Sequence, residues 1–259
     1  MKALWLLFPL PLLAQPCACP SPAALEANAQ GMEAHARRSL TEASAAYTKA
    51  IAAAPPRVPT EDEQALIRAA APRLFTQAGE AFPLKDAVAI LHPSAPWIAY
   101  HLFWDDDIDF PDDNDPCDHE VFWVRLDDAR RKPVELVTYY HGRLLGSSDA
   151  TRAFVQWGKH GTLPGDWHSM EAVRLDMRRT YDRLSTRGRD YPGSPLAEGW
   201  PLKFAGAWED FIRFDRELPA PRWRTAVSCL NNAVLNRRFL RYNFAAKTEW
   251  PPQLCAEQP

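Results

Sequence analysis

Three ionisable residues of different kinds stand in a row at Asp118-His119-Glu120, and a run of strand-forming residues, Val121 to Leu126, follows them. Just upstream, residues 104–115 (WDDDIDFPDDND) hold seven carboxylates in twelve positions. Side chains alternate along a strand, so Asp118 and Glu120 share a face with Phe122, Val124 and Leu126, while His119 points away with Val121 and Trp123. Carboxylates at the mouth of an apolar face are costly unless they are paired or hold a cation. Further on, residues 133–145 put Tyr139 and His141 on one face of the next strand, and His160 follows Val155 to Lys159. Two acids and two histidines converging at one end of a sheet would form a divalent-cation site. Oxygen with imidazole suits Zn²⁺, Mn²⁺ or Fe²⁺, and oxygen alone suits Ca²⁺ or Mg²⁺. The expected metal ligands are Asp118, Glu120, His141 and His160, with His119 as a substitute. Asp105, Asp107 and Asp109 form a second tier, a possible calcium loop.

That loop does not follow the EF-hand pattern. Counted from Asp105, position six is Phe110 and position twelve is Pro116; counted from Asp109, Pro111 takes a ligand position. The chain has no G-x-S-x-G elbow, H-E-x-x-H pair, phosphate-binding loop or G-x-G-x-x-G turn. Ser147, Ser148 and Asp149 near His141 read as ordinary turn residues. An Asp118/Glu120 acid–base pair, as in glycosidases, stays open, since same-face neighbours on a strand lie roughly 6.5–7 Å apart.

With 259 residues, 46% of them hydrophobic and ten of them Trp, the chain can bury a sizeable core. A net charge of −3 and the lack of a polybasic run give no footing for nucleic acid. Residues 1–14 combine Lys2, an apolar stretch from Ala3 to Leu13 and a small residue, Ala14. They read as a signal peptide and predict an exported protein with no membrane span once cleaved. Export would permit disulfides among Cys17, Cys19, Cys117, Cys229 and Cys255, and a bridge from Cys117 to Cys229 or Cys255 would staple the acidic loop.

Elements to position the site follow from periodicity. Residues 15–60 read as a Pro/Ala-rich lead and one amphipathic helix over 25–54, ended by Pro55-Pro56. Gly31, Ala43, Tyr47, Ala50 and Pro55 loosely fit one tetratricopeptide repeat, but one copy builds no solenoid. Thr60 to Glu63 is a capping box opening a second helix. Residues 72–84, 96–106, 119–126, 133–145 and 153–161 read as strands, with helices over 169–188, 206–218 (or a strand-helix mixture) and part of 228–244. The expected fold is α+β: an antiparallel β-sandwich core with N-terminal helices and late helical insertions, residues 61–259 forming a single domain.

The order AAPRLFTQAGEAFPLKD, IAYHLFWDDD, CDHEVFWVRL, VTYYHGRLL and VQWGKHGTLP resembles the vacuolar protein sorting-associated protein 62-like family and, more distantly, the necrosis- and ethylene-inducing-peptide-like proteins. In that likeness the family's D-W-E step corresponds to Asp118-His119-Glu120, the strand-end histidine to His141, and a later G-S-H-A-like step to the segment holding His160. It covers residues 70–165. It implies a β-sandwich with a divalent-metal site at one end and, in the second group, binding of glycolipid head groups. The chain departs from that group, for DNDPCDHE stands where G-H-R-H-D-W-E would.

The resulting expectation is a cation-dependent protein that binds a sugar or lipid head group at a cell surface, with Trp104 and Trp157, and also Trp167, as exposed aromatic contacts. The alternatives are a metal-dependent hydrolase using the same cluster and a structural envelope protein with a solvated acidic loop.

Overall fold

The structure, a computed structural model, describes residues 21–77, 80, 82–108, 117–186, 207–242, 244–247 and 249–251. The signal-peptide reading, Cys17, Cys19, Asp109, the end of the helix expected over 169–188 and Cys255 lie outside them. The fold is α+β, built as three stacked layers. Helices α1 (Pro22–Ala36), α2 (Leu40–Ala53) and α6 (Asn231–Tyr242) form one outer layer. A six-stranded sheet is the middle layer, with β2 (Leu84–Leu91), β3 (Trp97–Trp104), β4 (Asp118–Leu126), β5 (Pro133–Tyr140), β6 (Arg143–Ser147) and β10 (Arg224–Val227) in the order β10-β2-β3-β4-β5-β6. A second sheet lies beyond it, with β1 (Arg73–Thr76), β7 (Arg152–Val155), β8 (Thr162–Pro164) and β9 (Arg216–Glu217) in the order β8-β7-β1-β9. The run β2 to β6 is antiparallel; β10 joins β2, and β7 joins β1, in parallel, so both sheets are mixed.

Period-two alternation gives the middle sheet its two apolar faces. Val88, Ile90, Trp97, Ala99, Phe103, Val121 and Trp123 pack against α1, α2 and α6. Ala89, Leu91, Ile98, Tyr100, Leu102, Phe122 and Val124 pack against Leu74, Ala153 and Val155 of the second sheet and against Ile67 of α3 (Glu61–Ala70). A third cluster gathers Tyr140, Trp157, Leu163 and Trp167 with Val173 and Met177 of α4 (Glu171–Thr186) and Phe211 of the short α5 (Trp208–Phe211). The capping box at Thr60–Glu63 is formed in both directions.

Three expected elements are divided differently. The single helix over 25–54 is a helical hairpin, because Arg38 takes a left-handed φ of 60° and Ser39 restarts the helix. Gly31 permits the hairpin's close approach, since a Cβ there would lie 2.6 Å from the Tyr47 ring. The strand expected at 133–145 is a hairpin turning at His141-Gly142, with φ of 45° and 81°. The segment 72–84 is not one strand, for β1 and β2 belong to different sheets. Cys117 is buried, its Sγ donating toward the Asp118 carbonyl at 3.4 Å.

Candidate functional site

The β3–β4 register pairs Trp104 with Asp118, Phe103 with His119 and Leu102 with Glu120. Asp118 and Glu120 therefore emerge at the end of the face turned toward the second sheet, beside Trp104. The tight loop between β7 and β8 brings Lys159 and His160 to the same place. His160 N–H donates to the Gln156 carbonyl at 2.8 Å, and Gly158 takes φ 66° where Ile108 leaves no room for a Cβ, so both conditions call for glycine. His160 itself has φ 52°, a conformation that histidine tolerates better than most residues.

His160 is fully buried, its ring stacked on Trp104 at 4.2 Å and 4°. Nδ1 meets Asp118 Oδ2 at 2.8 Å, and Nε2 lies 3.3 Å from Glu80 Oε1, an ion-pair contact rather than an aligned hydrogen bond. Burial disfavours its charged form, but the Asp118 hydrogen bond and the close carboxylates of Asp118 and Glu80 outweigh burial and raise its pKa to about 9. The same contacts, against the opposing effect of burial, hold Glu80 and Asp118 below their ordinary values. At neutral pH the three form a carboxylate–imidazolium–carboxylate relay over an indole face.

Next to the relay lies a cleft of about 610 Å³ between the β4–β6 end of the sheet and α4, lined by Asp107, Asp118, Glu120, Tyr139, His141, Lys159, Asp176, Arg179 and Lys247, among others. Lys159 pairs with Asp107. Lys247 Nζ lies 3.7 Å from Glu120 Oε1 and 5.2 Å over the Tyr139 ring. Burial, then the charge on Asp118, push Glu120 up to about 8, with Lys247 opposing. Its second oxygen is buried and has no hydrogen-bond partner among the described residues. Asp107, Asp118, Glu120 and Asp176 thus share the cleft with Lys159, Arg179, Arg183 and Lys247, His160 adjoins it, and Glu120 is mostly protonated at pH 7.

Asp118, Glu120 and His160 come together here. His141 lines the same cleft but sits in the turn, its Nδ1 2.6 Å from Asp176 Oδ2. Burial lowers its pKa despite Asp176. His119 lies on the opposite face and is no substitute ligand. It meets His101 Nδ1 at 3.0 Å, stacks on Phe103 and faces the helical layer, as strand alternation requires. Asp105 and Asp107 do not share one loop site either, because Asp105 pairs with Lys85 at 3.0 Å outside the cleft. Trp104, Trp157 and Trp167 are core residues rather than exposed contacts. Lys247, Glu80 and Asp176 also belong to the site, and no periodicity or motif in the sequence marks them. Lys159 directly precedes His160 in the chain, and no motif marks it.

The residues do not fit the expected divalent ion. Among the described residues, no three His, Cys, Asp or Glu side chains are grouped to hold a metal. The carboxylates already face side-chain cations, and an added divalent charge would oppose Lys159, Lys247 and the His160 imidazolium.

No protein-family model matches the chain, and no curated protein matches it. Among solved structures, the chain is similar to one described as "NLPPya in complex with glucosamine", a necrosis- and ethylene-inducing-peptide-like protein, at 16% identity over 48% of this chain and 82% of that one. The TM-score is 0.33, at which the likeness assigns neither fold nor ligand.

Proposed function

We propose that the cleft binds a small polyhydroxyl ligand, a sugar or the sugar-bearing head group of a lipid, and that the chain is exported to meet it. The observation that carries this reading is the cleft's composition. Carboxylates that accept hydroxyl protons (Asp118, Asp176) and ammonium groups that donate (Lys159, Lys247) line about 610 Å³, a volume typical of small-ligand sites. Hydroxyl groups act as donor and acceptor at once, so alternating acceptors and donors match a sugar ring edge. The half-buried Tyr139 adds an aromatic wall. No helix among the described residues is long and apolar enough to cross a membrane.

The test is calorimetric titration of the purified chain with neutral hexoses, amino sugars and uronic acids, and with vesicles carrying a glycolipid, against Asp118→Asn and Lys247→Met. Saturable binding to the free sugar, lost in both variants, supports the reading; binding to glycolipid vesicles alone narrows it to the lipid. No binding to any of them, or binding that both variants retain, sinks it. The export half is tested by cell fractionation and N-terminal sequencing of the mature protein.

A second reading, acid–base hydrolysis, is favoured by one observation. Asp118 is held ionised while its neighbour Glu120 holds a proton, the division of labour that acid–base pairs require. Product release from the bound sugar, abolished by Glu120→Gln with binding intact, would select it.

A further inference from the structure

We propose that this site needs no metal, because Lys247, delivered by the segment after α6, occupies with Lys159 and His160 the place of a divalent cation. The inference deepens the ligand reading above and rests on the same cleft, but its test is separate.

The segment that carries Lys247 is held on both sides. Before it, Phe244 is buried against Phe103, Phe239 and His119, and the Ala245 carbonyl receives the His119 ring N–H at 3.2 Å. At Lys247 itself the backbone carbonyl accepts Asn232 Nδ2 at 2.8 Å. After it, the half-buried Glu249 carboxylate accepts the N–H groups of Asn231 and Asn232 at the start of α6 and reaches Asn28 of α1 at 2.8 Å. Trp250 Nε1 then donates to the Cys229 carbonyl at 2.8 Å. Five anchors within seven residues fix where the ammonium goes. A flexible tail whose lysine had strayed into an acidic cleft would show none of them.

The other two cations are equally built in. Lys159 reaches Asp107 from the loop whose turn Gly158 and Ile108 define. His160 is locked between Asp118, Glu80 and the Trp104 face. Each carboxylate that would ligate a metal therefore has a side-chain cation beside it: Asp107 has Lys159, Asp118 has His160 and Glu120 has Lys247. A side-chain ammonium is a compact point charge with three donors, so Lys159 can neutralise Asp107, Lys247 can supply positive charge beside Asp118 and Glu120, and each can still hydrogen-bond a ligand.

Elemental analysis of the purified chain, with thermal melts in chelator and in excess Ca²⁺, Mg²⁺, Mn²⁺ or Zn²⁺ separately, tests this. The expected result is sub-stoichiometric metal and a Tm that neither chelator nor any of the four ions moves. Lys247→Met should melt lower and become ion-responsive. An ion now able to sit between Asp118 and Glu120 should raise its Tm by roughly 5–10 °C at about a hundredfold excess over Kd. Lys247→Arg, which keeps the charge, should stay indifferent to ions. A stoichiometric ion in the wild type, or a chelator-induced fall in its Tm, overturns the inference, and either is decisive even if Lys247→Met does not fold. A folded Lys247→Met protein indifferent to all four ions overturns it too. Sugar titrations in chelator separate the two readings. Binding that appears only with added metal defeats this inference and spares the ligand reading. Absence of binding in both conditions defeats the ligand reading and leaves metal content to judge this one.

Discussion

Replacing Glu120 by Gln should have an effect whose size changes steeply with pH. The substitution keeps the shape and removes one titrating group. In the folded protein burial, then the charge on Asp118, raise Glu120 from 4.5 to about 8 against the pull of Lys247. A carboxylate with a folded pKa above its unfolded value binds its proton more tightly when folded. Its favourable effect on stability is greatest below 4.5, declines as pH rises, and levels off above 8. The linkage relation applied to these two values lowers the Glu120 contribution by about 4 kcal/mol between pH 5 and pH 9. Gln titrates at neither pH, so the variant should gain about 4 kcal/mol on the wild type across that interval, whatever the offset from altered contacts with Lys247. His160 titrates in both proteins and largely cancels. Urea unfolding followed by Trp fluorescence at five pH values gives the difference directly. The infrared band of a protonated carboxyl at neutral pH, absent from the variant, is a second readout. A variant-minus-wild-type difference constant to within about 1 kcal/mol from pH 5 to pH 9 would refute the reasoning, because Glu120 would then titrate as a solvated carboxylate.

His160 gives an alkaline arm of its own: its folded pKa of about 9 exceeds 6.5, so its stabilisation is complete below 6.5 and is lost as pH rises through 9. His160→Gln should cost about 3 kcal/mol near pH 6 and converge on the wild type at high pH, as the same unfolding series would show. His101 and His92 behave oppositely, because burial lowers them to about 3 and 4, so the stability they contribute is present above 6.5 and falls as pH drops below it. His101→Gln should flatten the acid side of the Tm–pH profile, and an unchanged acid slope would count against the buried-neutral assignment. Glu249→Ala strips the N-terminus of α6 of its carboxylate and leaves Asn28 with only its weak contact to Met32 Sδ, with an expected loss of about 2–4 kcal/mol in a thermal melt. Gly31→Ala should destabilise by about 1–3 kcal/mol despite alanine's better helix propensity, since its methyl would meet the Tyr47 ring.

The fold was legible where pattern and burial coincide. Strands β3 and β4 alternate aromatic and branched residues between two apolar layers, so their positions and the opposite facing of Glu120 and His119 follow from period two alone. Strand β2 was not legible as a strand, although it is paired on both sides. Its LKDAVAIL offers alanines and two charges in place of aromatics, and what makes it a strand is the partners it meets, not its own preferences. Two punctuation marks were missed because they rest on non-glycine residues with positive φ. Arg38 ends α1 inside an uninterrupted alanine-rich run, and His141 turns a hairpin within an apparent single strand.

The candidate site was half legible for a related reason. Acids and histidines stand out in a sequence because their chemistry suggests a ligand set, and local spacing then puts Asp118 and Glu120 on one face. What answers their charge cannot be read locally. Glu80 lies 38 residues before Asp118 and Lys247 lies 127 after Glu120, each brought in by a turn or segment anchored to other layers. A cluster of carboxylates beside an apolar strand implies that a cation must be near, and that much the sequence does establish. Whether the cation is a dissolved metal or a lysine from the far end of the chain depends on long-range packing. In the metal-free proposal the five anchors around Lys247 are the packing that favours the lysine, because they hold its backbone where the ammonium reaches Glu120.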